Sequence, residues 1–260
     1  MNAAACGFAV ALFAGQLVAC TDLDLGSGAY FHDEFEGDDL TSWQRAALGT
    51  EGGVYAFPGG SVQLVNNQAH SGKGALQLAL EQLPGRLENA GVFRVWTTPQ
   101  VAYFGAYLMF PRTHTVVTGI WTIFQYRGQS TPLGADVLYE IRLRNRTDGQ
   151  MEMVLFHESS EIAGTFIDPV APNPSVAPNQ WFHLEARVQR SDAASGRLTF
   201  WRDGQLLFDV ANVKTTLNGG RSMWFLTSVG ADIVPGPVIH FVDDATLTAV
   251  RWHPISQTPH

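Results

Sequence analysis

Short apolar runs separated by turn-forming residues make up the chain from Tyr30 onward. Val, Ile, Phe, Trp, Tyr and Thr dominate the runs, while Gly, Pro, Asn and Asp interrupt them, which is typical of β-strands joined by turns. No long stretch has the period of an amphipathic helix. The pattern predicts strands over residues 61–65, 74–80, 91–96, 101–110, 119–127, 136–145, 150–157, 180–190, 196–202, 205–210, 222–228 and 238–252.

Alternation within these runs predicts sheets with one buried and one solvated face. In Tyr139–Arg144 apolar residues alternate with charged residues, as expected for a sheet that packs on one side only. Asp148-Gly149 and Asp203-Gly204 each separate two predicted strands, and Asp-Gly at such a position favours a tight hairpin. Residues 169–178 contain four prolines and are predicted to form a loop. About a dozen strands predict an all-β chain with two large antiparallel sheets.

Composition and charge fit one large domain and exclude some partners. The chain has 260 residues, of which 45% are hydrophobic and 15% charged, and residues 30–260 are long enough for a single β-sandwich. The formal net charge of −8 gives no general attraction for nucleic acid, so no nucleic-acid partner is expected. Both cysteines, Cys6 and Cys20, precede the domain, which leaves it without a disulfide, a thiolate nucleophile or a cysteine metal site.

The first residues are predicted to direct export. Residues 3–19 are apolar and uncharged, too short for a membrane span and typical of a signal peptide, here residues 1–19. The run ends in Leu17-Val18-Ala19-Cys20, which resembles the bacterial lipobox and implies lipidation of Cys20. Residues 20–29 would then be a tether, and the lipid anchor would be the only contact with a membrane. The expected location is a periplasmic or cell-surface lipoprotein; ordinary secretion and a buried N-terminal segment are the alternatives.

An ordered series of motifs resembles the concanavalin A-like lectin/glucanase superfamily, in its laminin-G-like and polysaccharide-lyase-like branches. The resemblance covers nearly all of residues 30–252 and implies a two-sheet antiparallel β-sandwich, a jelly roll, with sugars held on a concave face. The motifs that carry it are Phe31-His32-Asp33-Glu34-Phe35-Glu36-Gly37, His70-Ser71-Gly72-Lys73-Gly74, Gln180-Trp181-Phe182-His183-Leu184-Glu185, Gly196-Arg197-Leu198-Thr199-Phe200-Trp201-Arg202-Asp203-Gly204 and His240-Phe241-Val242-Asp243-Asp244.

Carbohydrate binding is the first functional hypothesis, with a polysaccharide or cell-surface glycan as the partner. Sugar sites combine flat aromatic rings with planar polar groups. In the strand 119–127, strict alternation would place Trp121, Ile123, Gln125 and Arg127 on one face. Aromatic residues in strands are also common in cores, which is the competing interpretation. The candidate ligand-binding residues are Trp96, Trp121, Gln125, Tyr126, Arg127 and Tyr139.

A polysaccharide lyase acting on a uronate polymer is the second hypothesis. β-Elimination needs groups that neutralise the uronate carboxylate and groups that move protons. Gln125 with a downstream histidine resembles jelly-roll lyases, although their Gln-Ile-His triplet is Gln-Tyr-Arg here and their Tyr-x-Lys-x-Gly-x-Tyr strand is missing. The candidate catalytic residues are Gln125, Tyr139, Arg142, Arg144 and His157.

Each hypothesis has an alternative that requires no ligand or no catalysis. Arg142, Arg144 and Arg146 could form a solvated strand face paired with Glu140, Glu152 or Glu158. Retaining glycoside hydrolysis is not expected, because the Glu-x-Asp-x-(x)-Glu string that would bring two carboxylates within about 5.5 Å is absent. A structural or protein-interaction domain without a sugar ligand is the third hypothesis.

The family resemblance also implies a structural calcium ion between the N-terminal acidic segment and the last strand. Hard carboxylate oxygens are the ligands calcium prefers. Because Asp243 and Asp244 are adjacent, alternation predicts that only one of them faces the ion. The candidate ligands are Asp33, Glu34, Glu36, Asp243 and Asp244.

Overall fold

The computed structural model describes residues 29–44, 50–97, 99–129, 136–170, 172–217 and 219–251. Residues 1–28, with the predicted signal peptide, the lipidation site Cys20 and most of the tether, lie outside the described residues, and these features stay predictions. In the described part the chain is all-β, apart from one short helix, α1 (Thr41–Gln44). None of its described helices is long and apolar enough to cross a membrane.

The first of two large sheets, sheet A, has eight antiparallel strands. Its order is β14-β13-β12-β6-β17-β4-β3, and β1 pairs with the second half of β17 beside β4. Its strands are β1 (Ala29–Asp33), β3 (Gly60–Val65), β4 (Ala75–Leu80), β6 (Val101–Met109), β12 (Phe182–Gln189), β13 (Gly196–Arg202), β14 (Gln205–Val213) and β17 (Val238–Thr248).

The second sheet, sheet B, has seven antiparallel strands in the order β11-β10-β9-β8-β15-β5-β2. A small third sheet pairs β7 (Thr115–Val116) with β16 (Ile233–Val234). The strands of sheet B are β2 (Thr50–Ala56), β5 (Glu88–Trp96), β8 (Trp121–Gln129), β9 (Asp136–Asn145), β10 (Met151–Ser159), β11 (Thr165–Ile167) and β15 (Arg221–Gly230).

Sheets A and B enclose one apolar core, so the chain is a jelly-roll β-sandwich, as predicted. Phe104 of sheet A packs between rings of sheet B, with its centroid 5.7 Å from Phe124, 6.0 Å from Tyr126 and 5.6 Å from Trp224. Such aromatic pairs add about 0.5–1.5 kcal/mol each to the burial of apolar area. Side chains on one side of each strand belong to this core, so the side chains on the other side face outward.

All twelve predicted strands are present, and both Asp-Gly dipeptides form hairpins. Asp203 and Gly204 have φ of 51° and 78°, the left-handed conformation that this dipeptide tolerates best. Strand β2 was not predicted, because Gly52-Gly53 is unfavourable in a strand. The structure explains the glycines: a Cβ on Gly53 would lie 2.6 Å from Cε1 of Phe93, whose ring covers that backbone.

Candidate functional site

The outward face of sheet B carries a group of polar and aromatic side chains that we call the Gln125 face. Antiparallel pairing sets Gln125 of β8 opposite Glu140 of β9 on one side and Phe225 of β15 on the other. Directly paired residues project from the same side of a sheet, so the three lie side by side. The Gln125 face is defined by Tyr55, Gln125, Arg127, Glu140 and Arg142.

Glu140 is the centre of the hydrogen-bond network on this face. Gln125 donates from Nε2 to Glu140 Oε1 at 2.5 Å, and Arg142 donates from Nε to Oε2 at 2.7 Å. Thr122 adds a longer hydroxyl bond to Oε2 at 3.3 Å. The Arg142 guanidinium also lies over the Phe156 ring, 3.5 Å from its centroid. Both oxygens of the carboxylate are therefore fixed, and they orient the amide and the guanidinium beside them.

Tyr55 lies at the other end of the Gln125 face from Glu140, and its side chain extends over a glycine of the neighbouring strand. It pairs with Gly91, and its hydroxyl donates to Thr227 Oγ1 at 2.7 Å. A Cβ on Gly91 would come within 2.7 Å of the Tyr55 hydroxyl, so the glycine makes room for the phenol. Phe93 and Phe225 flank the ring at centroid distances of 6.1 and 6.2 Å. Burial raises the pKa of Tyr55 to about 12, so the phenol is protonated near neutral pH.

Arg127 supplies positive charge that acts on Tyr55. Its guanidinium carbon lies 5.6 Å from the Phe225 ring centroid, and its charge lowers the pKa of Tyr55 against the effect of burial. Glu140 acts on the same phenol in the opposite direction. The phenol, the guanidinium and the carboxylate therefore belong to one electrostatic unit.

The Gln125 face is recessed although it points away from the core. Gln125 is 7% exposed, Glu140 5% and Thr227 1%. Polar groups at this depth hold a ligand in a defined orientation, because an unsatisfied partner would be costly there. Rings of Tyr55, Phe93 and Phe225 beside amide, guanidinium and carboxylate groups match the aromatic and planar polar surface that a pyranose polymer requires.

The predicted residues divide between the two sides of sheet B. Gln125, Arg127, Arg142 and Arg144 lie on the outward side. The remaining candidates are buried in the core or against it: Trp96, Trp121, Tyr126, Tyr139 and His157. These five residues cannot line the outward face. Of the four outward residues, Gln125, Arg127 and Arg142 belong to the Gln125 face, whereas Arg144 pairs with Glu152 away from it.

A β-bulge explains the position of Trp121. The pairing of β8 with β9 shifts register between Thr122 and Phe124, so the strand changes the side to which alternate residues point. Trp121 and Ile123 therefore join the core, while Gln125 and Arg127 face outward. Strict alternation, which placed all four on one face, fails at this bulge.

Tyr139 and His157 point inward because they are paired on neighbouring strands. They are direct partners in β9 and β10, and their rings stack at 4.2 Å with an interplanar angle of 3°. Burial lowers the pKa of His157. On the outward side of the same strands, Arg142 pairs with Glu140, Arg144 with Glu152, and Arg146 in the following turn with Asp148. All three arginine residues thus form ion pairs. Arg144 and Arg146 are solvated, as the alternative expected, whereas Arg142 is 14% exposed and lies largely out of solvent.

Two of the proposed calcium ligands, Asp243 and Asp244 of β17, contact the loop His70-Ser71-Gly72. Asp243 is fully buried and accepts the backbone N–H groups of His70 and Ser71 at 2.8 and 3.1 Å, and burial raises its pKa to about 6. Asp244 accepts His70 Nδ1 at 2.6 Å and the Ser71 hydroxyl at 2.8 Å. Both carboxylates reach the same loop, which adjacent strand residues do not normally do.

A second bulge gives the reason. The pairing of β17 with β6 shifts between Asp243 and Thr246, and Asp244 has a φ of 49°. The expectation that the two aspartates point to opposite faces is therefore wrong. Of the two, Asp244 is the one that belongs to the group of possible metal ligands, and a single direct ligand from this pair stays a prediction. Of the other candidates, Glu34 meets Asp244, whereas Asp33 accepts a bond from the Ser42 hydroxyl at 2.5 Å and Glu36 accepts the Lys73 and Gly74 N–H groups.

Ligand atoms of His32, Glu34 and Asp244 lie within 4.8 Å of one another, and we call this group the Asp244 corner. Two carboxylates at this spacing fit a divalent cation such as calcium. The imidazole of His32 adds a nitrogen donor that the calcium prediction did not include. Bound calcium would hold Glu34 of the N-terminal segment against Asp244 of the last strand, which is a structural role.

The fold is that of the jelly-roll polysaccharide lyases. Endo-β-1,4-glucuronan lyase from the fungus Trichoderma reesei superposes with a TM-score of 0.60 at 14% identity, covering 85% of this chain and 96% of that one. Alginate lyase Aly36B gives a TM-score of 0.54 at 14% identity over 75% and 88% of the two chains. Alginate lyase vAL-1 from Chlorella virus gives 0.50 at 8% identity over 81% and 97%. No family model and no curated protein matches the chain.

Proposed function

We propose that the protein binds an acidic polysaccharide on the Gln125 face, with no chemical step required. The observation that carries the proposal is a recessed, outward-facing patch in which Glu140 fixes Gln125 and Arg142 while Tyr55, Phe93 and Phe225 supply ring surfaces. Arg127 beside Tyr55 is the group that would receive a uronate carboxylate, by charge-assisted hydrogen bonds. Structural likeness to glucuronan and alginate lyases supports uronate polymers as the ligand class.

β-Elimination is the second candidate, and Tyr55 beside Arg127 favours it. In that reaction Gln125 and Arg127 would hold the uronate carboxylate while a water molecule or hydroxide ion takes the C5 proton. The electron pair forms the C4–C5 double bond, the C4–O bond breaks, and the Tyr55 phenol protonates the leaving oxygen. Proton removal is the weak step. With a pKa of about 12, Tyr55 stays protonated near neutral pH and offers no phenolate to take the C5 proton, and His157, the one histidine in the described strands of sheet B, points inward. Binding is therefore the better-supported function.

Arg127→Ala is expected to weaken polyuronate binding by about 10- to 100-fold, because a charge-assisted hydrogen bond contributes about 1.5–3 kcal/mol. Calorimetric titration with glucuronan and alginate oligosaccharides measures the effect. The matched control is Arg144→Ala, which removes an arginine from the same sheet face. Arg144 is 56% exposed and paired with Glu152, so its loss should change affinity less than about twofold. Equal losses for both variants would contradict a defined site at Arg127.

The same oligosaccharides separate binding from catalysis. Lyase activity produces an unsaturated uronate with ultraviolet absorbance, and Tyr55→Phe should abolish that signal while leaving most of the affinity. Absence of product with retained binding supports the first proposal. Absence of both product and binding, across uronate and neutral polymers, would overturn it in favour of a structural or protein-interaction domain.

We also propose that the Asp244 corner holds a structural calcium ion. Millimolar calcium should raise the melting temperature, and a chelator should reverse the gain, because a ligand that binds only the folded state stabilises it. Glu34→Gln should remove the calcium effect, whereas Glu161→Gln, at a surface ion pair with Lys214, should not. An equal calcium response in wild type and Glu34→Gln would rule out this corner. A response to zinc alone would assign the site to His32 as a nitrogen ligand.

A further inference from the structure

The opposite face of the sandwich has a groove of its own, on the outward side of sheet A. The groove has a volume of about 370 Å³. Two rows of paired residues form its floor: Tyr103, Arg187, Thr199 and Asp209 face outward in one row, and Glu185 and Trp201 in the next. Their inward neighbours, such as Phe104 and Phe200, belong to the core. We call it the Trp201 groove, and its argument rests on Tyr103, Arg187, Arg197, Trp201, Asp209 and Arg251.

The groove combines aromatic surface with positive charge. The rings of Tyr103 and Trp201 are nearly parallel, with centroids 6.4 Å apart and an interplanar angle of 24°, and both are half-buried. The Arg251 guanidinium lies 4.1 Å from the Trp201 ring centroid and donates to Glu185 at 2.7 Å. Arg251 thereby fixes the indole, and the adjacent Tyr103 adds a second ring with nearly the same orientation.

The charges in the groove leave it net positive. Arg197 pairs with Asp209 through two hydrogen bonds, and Arg251 pairs with Glu185. Arg187 stands between them and donates to a neutral partner, the amide oxygen of Gln189, at 3.3 Å. Three guanidinium groups thus face two carboxylates, on a chain whose formal net charge is −8. Such a local reversal of sign favours an anionic ligand.

We propose that the Trp201 groove is a second binding site for an acidic sugar, with a pyranose ring against Tyr103 and Trp201 and its carboxylate on Arg187. The ligand class rests on the proposed function of the Gln125 face. The two sites lie on opposite sides of a sandwich whose sheets are about 10 Å apart, so one short oligosaccharide cannot occupy both. Each protein molecule would therefore engage two polymer segments, which raises avidity for a polymer without new contacts at either site.

The stoichiometry of oligosaccharide binding tests the proposal. Calorimetry with short glucuronan and alginate oligosaccharides should give two sites per chain in the wild type. Arg187→Gln should leave one site, and Arg127→Ala should also leave one. The double variant should leave none. Polymer affinity should fall by at least tenfold in either single variant, since linked binding is lost.

Tryptophan fluorescence adds a local readout at the groove. Trp43, Trp96, Trp121 and Trp224 are fully buried, so oligosaccharide bound at the groove should quench mainly the half-buried Trp201. Trp201→Phe keeps a ring for packing and should remove that signal. Trp181→Phe, at another half-buried tryptophan just before β12, is the matched control and should retain it. Unchanged melting temperatures would show that the variants fold.

Each outcome decides one proposal. One site in the wild type, lost in Arg127→Ala and unaffected by Arg187→Gln, overturns the Trp201 groove and keeps the Gln125 face. One site that is lost only in Arg187→Gln supports the groove and overturns the Gln125 face. Equal binding of neutral and uronate oligosaccharides at the groove overturns the acidic class. If no oligosaccharide of any polymer binds, the proposal that the Trp201 groove is a sugar site is overturned. A protein ligand would then be the interpretation of the groove.

Discussion

Stability is expected to collapse between about pH 6 and pH 4, because burial strongly lowers the pKa of three histidines in the folded protein. Burial lowers the pKa of His240 to about 3 and those of His114 and His183 to about 4. In the unfolded chain a histidine has a pKa of about 6.5. Over this interval the unfolded state binds more protons than the folded state. The stabilisation is complete above about pH 6.5 and is lost as the pH falls.

The expected slope follows from the number of groups. Each imidazole contributes up to about 1.4 kcal/mol per pH unit. Asp243 cancels the effect of about one imidazole. Its raised pKa of about 6 means that, as the pH falls, Asp243 is protonated in the folded state before it is protonated in the unfolded state. The net slope from these three histidines and Asp243 is then about 3 kcal/mol per pH unit, against a typical total stability of about 5–15 kcal/mol. Urea unfolding at a series of pH values measures it.

His240→Leu is the test variant for the acid effect. His240 is fully buried beside Phe110 and Trp121, and neither of its ring nitrogens has a hydrogen-bond partner among the described residues. A leucine there should flatten the slope by about one imidazole, up to about 1.4 kcal/mol per pH unit. His32→Gln, at an exposed position, is the control. The test compares how steeply the free energy of unfolding changes with pH. A change in stability at neutral pH therefore does not affect the comparison. An unchanged slope in His240→Leu would contradict the assignment.

The strands and hairpins of this fold could be predicted because their signals are local. Alternating residues and Asp-Gly turns depend on neighbours in the chain, and they identified twelve strands. Strand β2 was missed because its glycines are explained only by a distant partner. The Phe93 ring occupies the space where a side chain on Gly53 would lie, and the Tyr55 hydroxyl does the same at Gly91. Tyr55, the missed residue of the candidate site, belongs to this same strand.

The candidate site was predicted where alternation is regular and missed where it is not. Gln125, Arg127 and Arg142 follow the period of their strands and lie on one face. The bulge after Thr122 turns Trp121 inward, and the bulge at Asp244 brings two neighbouring carboxylates to one loop. A bulge inserts one residue without a strong mark in the sequence. Tyr139 and His157 also follow the regular alternation of their strands. Alternation alone does not say which side of the sheet is buried, so it could not exclude them from the outward face.

Removal of the Glu140 carboxylate is expected to destabilise the fold more than any other single change on the Gln125 face. The Arg142 side chain is 14% exposed, and Glu140 is its carboxylate partner, with Nη2 at 2.5 Å from Oε2. Glu140→Ala leaves this guanidinium desolvated without its partner, which costs about 3–5 kcal/mol. Gln125 loses its acceptor in the same step. Urea unfolding at neutral pH measures the loss.

The pair of Glu152 and Arg144 is the matched control, since it joins the same two residue types on the same sheet face. Arg144 is 56% exposed, so Glu152→Ala should cost no more than about 1 kcal/mol. Replacing both members of the buried pair, Glu140→Leu with Arg142→Met, should recover much of the stability that Glu140→Ala loses, because no charge is left buried.

The same variants connect stability with the proposed site. The apolar double variant should fold and yet bind polyuronate poorly, since the amide of Gln125 then has no partner to orient it. Retained affinity in that variant would mean that ring surfaces and Arg127 alone hold the ligand. Similar losses of stability in Glu140→Ala and Glu152→Ala would mean that the Gln125 face is hydrated rather than recessed. In that case a charged group there would cost little to leave unpaired, and its hydrogen bonds would select a ligand weakly.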